Sequence, residues 1–500
     1  MGALVAIISR YRENVVPEAV KMLNALKHRG SDFHGIATDK ATIMAGNIYD
    51  LSDLSKNLDS NIALAYNYRR VLPEDDPQPV EIKNLKVVLE GRVYSPSSGK
   101  SEVYKIIERY EEEESLRKII SEVEGDFVLA VLSGQRLLIG RDVIGGVPLY
   151  FFENNRYLAF ASERKALWSL GAEDDKIKSF PPGCIAEITK EGIVFRQVKA
   201  LKRPSVGLIR DEKAILEKLH ILFLEAIRKR LIGLEGKISV SFSGGLDSSI
   251  IAALIRGAHA DAILITVGLE GSKDIENAEN FAKETGLRIR TVTYALRDVE
   301  ETLPKIIWLI EEPNALKASI KIPEYWIAEV SSKMNCRAIF FGHGGDELFG
   351  GYHKYLKEYA RSFEDAETAL FLDTINIYKD SLEMSEKICA FHGVEARFPY
   401  MDYKLVEFAL NIPVTMKISS MSDPLRKRIL RKYAEQIGLP ATVYLKPKKA
   451  IQYGTGVDKA LRRIARRSGL SGQELINKIF RRVRAPHEDS SNLFFQVPRA

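Results

Sequence analysis

Apolar and polar positions divide the chain into two halves with different rhythms. Up to Arg203 the apolar runs are short and separated by turn residues. Residues 3–8 read as a buried strand, and Pro17 to Lys27 places Val20, Leu23, Ala25 and Leu26 at helical spacing before Lys27-His28-Arg29-Gly30 ends the helix. Further strands are predicted at 62–66, 85–90, 127–132, 136–140, 149–152 and 157–161, with helices at 102–110 and 115–122. The Glu111–Glu114 run reads as a solvated helix face. Many short strands and few helices predict an α+β domain of stacked antiparallel sheets over 1–203.

The pattern breaks around Lys202–Gly207, and a linker is assigned to 204–212. Beyond it, an amphipathic helix carrying Ile215, Leu219, Leu222, Phe223, Ala226 and Ile227 leads into Lys237–Phe242, a strand of the buried parallel kind. A helix at 250–256, a strand at Ala262–Val267, a helix near 275–285 and a strand at Arg288–Tyr294 follow. Strand alternating with helix predicts a doubly wound parallel sheet. Past residue 355 the text is mostly helical, so 213–488 is read as an α/β domain with a helical extension, and 489–500 as a frayed tail.

Between that strand and its helix lies Ser243-Gly244-Gly245-Leu246-Asp247-Ser248-Ser249. Strand, glycine turn and helix aim backbone N–H groups and a helix N-terminus at an anion. The glycines permit close approach and positive φ, and the serines add hydroxyls. A carboxylate beside phosphates makes sense with a cation between them, which selects Asp247 as a metal ligand. The plainer reading is a serine-capped helix after a tight turn. No Gly-Lys-Ser/Thr follows, so this is not the Walker pattern.

Composition narrows the class. The chain has 500 residues, 45% apolar and 28% charged, with a net charge of +6. So small an excess argues against nucleic acid as a partner. Cys184, Cys336 and Cys389 are far apart, which fits neither a disulfide framework nor a cysteine-rich metal site and agrees with a reducing cytoplasm. No apolar run is long enough to span a membrane, and the start lacks the basic segment of a signal peptide.

Four ordered stretches carry a resemblance. The SGGLDSS loop is similar to the pyrophosphatase-type loop of ATP-dependent adenylating enzymes. With Thr266–Asp274, Gly342-His343-Gly344-Gly345-Asp346-Glu347-Leu348-Phe349-Gly350-Gly351-Tyr352 and Gly393–Asp402, it resembles the synthetase half of class B (glutamine-hydrolysing) asparagine synthetases. Arg141-Asp142 through Tyr150, Ala161-Ser162-Glu163, Phe180–Gly183 and His28–Asp32 resemble that family's glutamine amidotransferase domain of N-terminal-nucleophile type. The resemblance implies an adenine-nucleotide α-hydrolase-like fold in the second half. It also implies a reaction in which a small-molecule carboxylate attacks ATP, releases pyrophosphate, and passes as acyl-adenylate to ammonia or an amine. Asparagine from aspartate is the default product, and a homodimer the family's frequent state. It implies Mg²⁺ on Asp247 and Asp346, and ATP contacts at Ser241, Ser243, Gly244, Gly245, Asp247, Ser248, Val267 and Gly342. Tyr352 and Lys387 are implied on the substrate, and a catalytic lysine at Lys448 or Lys449, just before Gln452–Gly456. The plain readings are a helix-start acidic pair for Asp346-Glu347 and surface lysines for the rest.

Two departures limit the resemblance. His343 stands where the family carries an acid beside the attacking ammonia, and a histidine there is a candidate general base or a hydrogen-bonded structural residue. The nucleophilic cysteine expected after Met1 is Gly2, and Glu90-Gly91 replaces the Asn-Gly of the oxyanion hole. Glutaminase activity is therefore not expected, and nitrogen would come free, as a substrate amine, or from an ammonia-supplying partner protein. Two other readings compete. One is a tRNA-modifying adenylating enzyme, kept alive by the basic cluster at 459–467. The other is a non-catalytic binding or regulatory relative, against which the intact loop and aspartates stand.

Overall fold

Strand Gly2–Ser9 shows how the sequence builds the first domain. Its odd residues Ala3, Val5 and Ile7 pack against helix Val16–Ala25, and its even residues Leu4, Ala6 and Ile8 pack against Val128, Ala130 and Leu132 of a second sheet. A period of two buried on both faces places the strand in the middle of a layered stack. The computed structural model describes residues 1–94, 101–107, 113–203, 211–447 and 450–484. The expected linker lies outside them up to residue 210, as do the tail 489–500, Glu111, Glu112, Lys448 and Lys449.

The first sheet has seven antiparallel strands, with Gly2–Ser9 between Tyr157–Ala161 and Ile62–Tyr68. The second has six, in the order Gly192–Gln197, Cys184–Thr189, Arg136–Arg141, Gly125–Ser133, Leu85–Val93, Val80–Ile82. Its outer face, with Leu89, Phe127 and Leu129, is covered by Val103, Ile106, Leu116 and Ile119 of helices Glu102–Ile107 and Glu113–Glu122. The stacked antiparallel sheets predicted from the sequence are thus present, with helices outside both. Strands Phe33–Thr38, Thr42–Ala45, Cys184–Thr189 and Gly192–Gln197 exceed the prediction. Gly35 interrupts the first of them, Cys184–Thr189 has no exposed residue and so no polar alternation, and Gly192–Gln197 is a half-exposed edge strand, so tertiary pairing rather than local pattern decides them.

The second domain holds a five-stranded parallel sheet in the order Ile289–Tyr294, Ala262–Leu269, Ile238–Ser241, Ala338–Phe340, Glu395–Arg397. The chain moves outward from Ile238–Ser241 in one direction, then returns to its other side. The loop after this strand therefore lies at the switch point, where open parallel sheets bind ligands. The two domains meet across buried charge: Arg141 donates to Glu383 at 2.8 Å, Arg92 to Glu395 at 2.8 Å, and Arg29 to Glu386 at 2.6 Å.

Candidate active site

Strand Ile238–Ser241 delivers the chain to the glycine turn, and helix Leu246–Gly257 starts directly after it. Gly244 has φ of +65°, and a Cβ there would lie 2.9 Å from Cβ of Asn277, so both conformation and space require glycine. No side chain caps the helix, which leaves the loop's polar backbone to face a cavity of about 690 Å³. Ser241, Ser243, Gly244, Gly245, Asp247 and Ser248 line it. The Ser248 hydroxyl donates to the Gly245 carbonyl at 3.2 Å, and Ser249 is fully buried. Gly342, just after strand Ala338–Phe340, lines the cavity beside the loop, where a Cβ would lie 3.0 Å from Cβ of Asp247. Val267 is buried within strand Ala262–Leu269 and is not among the residues that line the cavity.

Asp247 and Asp346 converge, and the ammonium of Lys427 lies between them. The Lys427 ammonium donates to Asp247 Oδ1 and Oδ2 at 2.7 and 2.6 Å and sits 2.7 Å from Asp346 Oδ1. Glycines make the room. A Cβ on Gly345 would come within 2.6 Å of Asp247 Oδ1, and one on Gly351 within 1.8 Å of Asp346 Oδ1 and 2.3 Å of Lys427 Cε. A carboxylate pair already spaced around a positive charge is a donor set that fits Mg²⁺. Among the described residues no cluster of three or more metal-ligating side chains occurs, so phosphate oxygens would have to complete the shell. Next to the pair, burial and the Asp346 charge push the Glu347 carboxyl up to about 7, while the Tyr352 hydroxyl donates to it at 2.7 Å.

His343 also lines the cavity, stacked on Phe341 with ring centroids 5.1 Å apart. Its Nε2 is 3.0 Å from Ser385 Oγ and 3.5 Å from Glu324 Oε1. Ser385 gives its proton to Glu324 at 2.7 Å and accepts from Lys321 at 2.7 Å. Both neighbours of Nε2 are therefore acceptors, so Nε2 carries the proton and Nδ1 is the basic nitrogen of the neutral ring. Burial alone would raise the Glu324 carboxyl, but the Lys321 ammonium and His343 hold it down at about 2. Lys321 and Glu324 pair at 2.9 Å, both buried in helix Ala315–Lys333.

Lys387 does not reach this cavity. Its ammonium donates to Glu311 at 2.7 Å and to Tyr150 at 2.9 Å, between the domains. It shares helix Glu383–Phe391 with Ser385, but two residues of helix place it on the opposite face. Lys448 and Lys449 lie outside the described residues. Lys446, Pro447, Ala450, Ile451, Gln452 and Tyr453 on either side of them line the cavity.

Sequence reasoning missed Lys427, which lies in a run of basic residues 180 positions from Asp247. It also missed Lys321 and Glu324. There the signal exists: a charged pair three apart within the apolar run Ile320 to Ile327 is a buried polar pair in need of a reason.

In the first domain, the Gly2 carbonyl accepts from Arg29 at 2.7 Å. A Cβ at position 2 would lie 2.0 Å from the Asn67 carbonyl oxygen and 2.5 Å from the Tyr66 ring. Glu90 accepts from Ser162 at 2.6 Å, from the Leu4 amide at 3.1 Å and from Arg29 at 2.8 Å. Burial pushes its carboxyl up to about 7, since Arg29 divides its charge among Glu90, Glu163 and Glu386.

Fold and site together define a domain of stacked antiparallel sheets joined to a parallel α/β domain whose glycine loop opens on a cavity. The chain belongs to the asparagine synthase family: residues 218–369 and 360–484 match that family, and residues 1–219 match the glutamine amidotransferase domain. It is 30% identical to the Methanocaldococcus jannaschii protein "Putative asparagine synthetase (glutamine-hydrolyzing) 1", covering 95% of this chain and 97% of that one. It is 26% identical to Escherichia coli asparagine synthetase B, over 88% of this chain and 79% of that one. Solved structures resemble it more loosely. A glutamine phosphoribosylpyrophosphate amidotransferase from B. subtilis gives a TM-score of 0.35 at 15% identity, over 58% of this chain and 65% of that one. The U34-tRNA thiolase NcsA from Methanococcus maripaludis gives 0.27 at 16%, over 58% and 89%. Among the described residues, no helix is long and apolar enough to cross a membrane.

Proposed function

We propose that this protein is an ATP-dependent, AMP-forming ligase that activates a small carboxylate as acyl-adenylate and transfers it to ammonia or an amine, without glutaminase activity of its own. The observation that carries the reading is the Asp247–Asp346 pair, spaced around a cation beside the glycine loop. The loop's amides and hydroxyls hold the β- and γ-phosphates, and the substrate carboxylate oxygen attacks the α-phosphorus as the bond to pyrophosphate breaks. Mg²⁺ held by Asp247 and Asp346 would neutralise charge on the phosphates. Lys446, Pro447, Ala450 and Ile451, the sequence neighbours of Lys448 and Lys449, line the same cavity, which supports a lysine of this stretch steadying the transferring group.

His343 then supplies the base for the second half. The amine nitrogen attacks the acyl carbon, its proton passes to Nδ1, and AMP leaves with the bridging oxygen. Ser385 and Glu324 orient the ring and stabilise its protonated form. A histidine in place of an acid leaves the default product, asparagine, open to replacement by another amide, so the acyl substrate is best found by screening. The absent nucleophile supports nitrogen from outside: residue 2 has no room for a side chain, and the carboxylate of Glu90 occupies the place where a developing oxyanion would need a donor. ATP–pyrophosphate exchange, with aspartate first and then other carboxylates, each repeated with ammonia and candidate amines, tests the reading. Exchange dependent on one carboxylate supports it, and none with any carboxylate contradicts it.

A further inference from the structure

Lys427 is not positioned by a regular element. It is the N-cap of helix Arg428–Gln436 with φ of +54°, directly after Arg426 at +53°. Two successive left-handed residues without glycine are strained and persist only where the surroundings impose them. Those surroundings are on hand. Asp423 accepts the amides of Ser419, Leu425 and Arg426, Arg426 donates to the Gly351 carbonyl at 2.9 Å, and Arg431 donates to the Arg426 carbonyl at 2.7 Å. The loop is braced so that one buried ammonium ends between two carboxylates, in a cradle that a methyl group on Gly351 would fill.

We propose that Lys427 is a built-in counter-cation. In the nucleotide-free protein it holds Asp247 and Asp346 at the spacing a divalent cation needs, and it competes with that cation until a metal–nucleotide complex arrives. This rests on the proposed reading of the cavity as a nucleotide site. A bare divalent ion held by both carboxylates would lie close to an ammonium that already sits 2.6–2.7 Å from their oxygens, and the two cations repel. A bare ion offers no phosphate oxygens in exchange for the lost ion pairs. A nucleotide-bound ion brings them, and brings anionic phosphates to receive the displaced ammonium within the same cavity. The consequence is ordered occupancy: metal enters with nucleotide and not before it.

The test is Mn²⁺ binding to the full chain without nucleotide, read by electron paramagnetic resonance of free Mn²⁺ and by the shift in melting temperature. Wild type should bind Mn²⁺ weakly and show no thermal shift. Lys427→Met should bind at least about tenfold more tightly and gain several degrees on adding Mn²⁺, because two buried carboxylates are left without a cation. Lys427→Gln, which keeps a donor for one carboxylate, guards against loss of folding and should behave alike. Adding Asp346→Asn to either variant should erase the gain. Wild type binding Mn²⁺ as tightly as the variants would overturn the proposal, as would folded variants without a gained site. The readout needs no turnover. Absence of pyrophosphate exchange with the Mn²⁺ gain present would refute the ligase reading and leave the counter-cation standing.

Discussion

Replacing His343 with alanine separates the two halves of the proposed reaction. The ring is partly exposed on the cavity wall, so its removal enlarges an open cavity rather than leaving a sealed void. Glu324 keeps Lys321 at 2.9 Å and the Ser385 hydroxyl at 2.7 Å, so no buried charge is orphaned. Stability should fall by only about 1 kcal/mol. Glu324→Gln is the poorer probe, because it strands the Lys321 ammonium at a cost of about 3–5 kcal/mol. A positioned general base contributes about 10²–10⁴-fold, so His343→Ala should slow amide formation by that factor, equivalent to about 3–5 kcal/mol of barrier. Pyrophosphate exchange without amine should stay within a few-fold of wild type. The assay pairs radiolabelled pyrophosphate exchange with chromatographic detection of AMP and amide. Loss of exchange and transfer together, or of neither, refutes the base role.

Gly2→Cys should not release glutamate from glutamine in a coupled assay, and should lower the melting temperature by several degrees, since its Cβ would sit 2.0 Å from the Asn67 carbonyl oxygen. Clear hydrolysis by the variant would show that the pocket still accepts a nucleophile. Glu90 sets a pH dependence. Its carboxyl is raised from the ordinary 4.5 to about 7 by burial, so the folded state favours the proton; that contribution is complete below about 4.5 and lost as pH rises to about 7. Glu90→Gln should therefore lose less melting temperature than wild type between pH 5 and pH 8, and parallel curves for the two proteins would refute the assignment.

The glycine loop was legible because its pattern is local: strand, glycines, Asp247 and helix occupy one short stretch, and Gly342–Tyr352 announces itself the same way. The parallel sheet around them followed from the alternation of strand and helix, while the order of its strands did not. Lys427 was not legible, because its role depends on two left-handed residues and a brace from Asp423 and Arg431. Lys387 shows the converse: the family resemblance implied it on the substrate, while its helix face turns it to Glu311 and Tyr150. In the first domain, Gly2 and Glu90 stood out as substitutions, but the Tyr66 ring and the Asn67 carbonyl that fill the space beside residue 2 come from a neighbouring strand.

The most direct test of the account is carboxylate-dependent ATP–pyrophosphate exchange in wild type beside Asp247→Asn and Asp346→Asn. The account predicts exchange with at least one small carboxylate, reduced by about 10²-fold or more in each variant, where a charged ligand to the phosphate-bound cation is lost. No exchange with any carboxylate, or exchange indifferent to both substitutions, would contradict it.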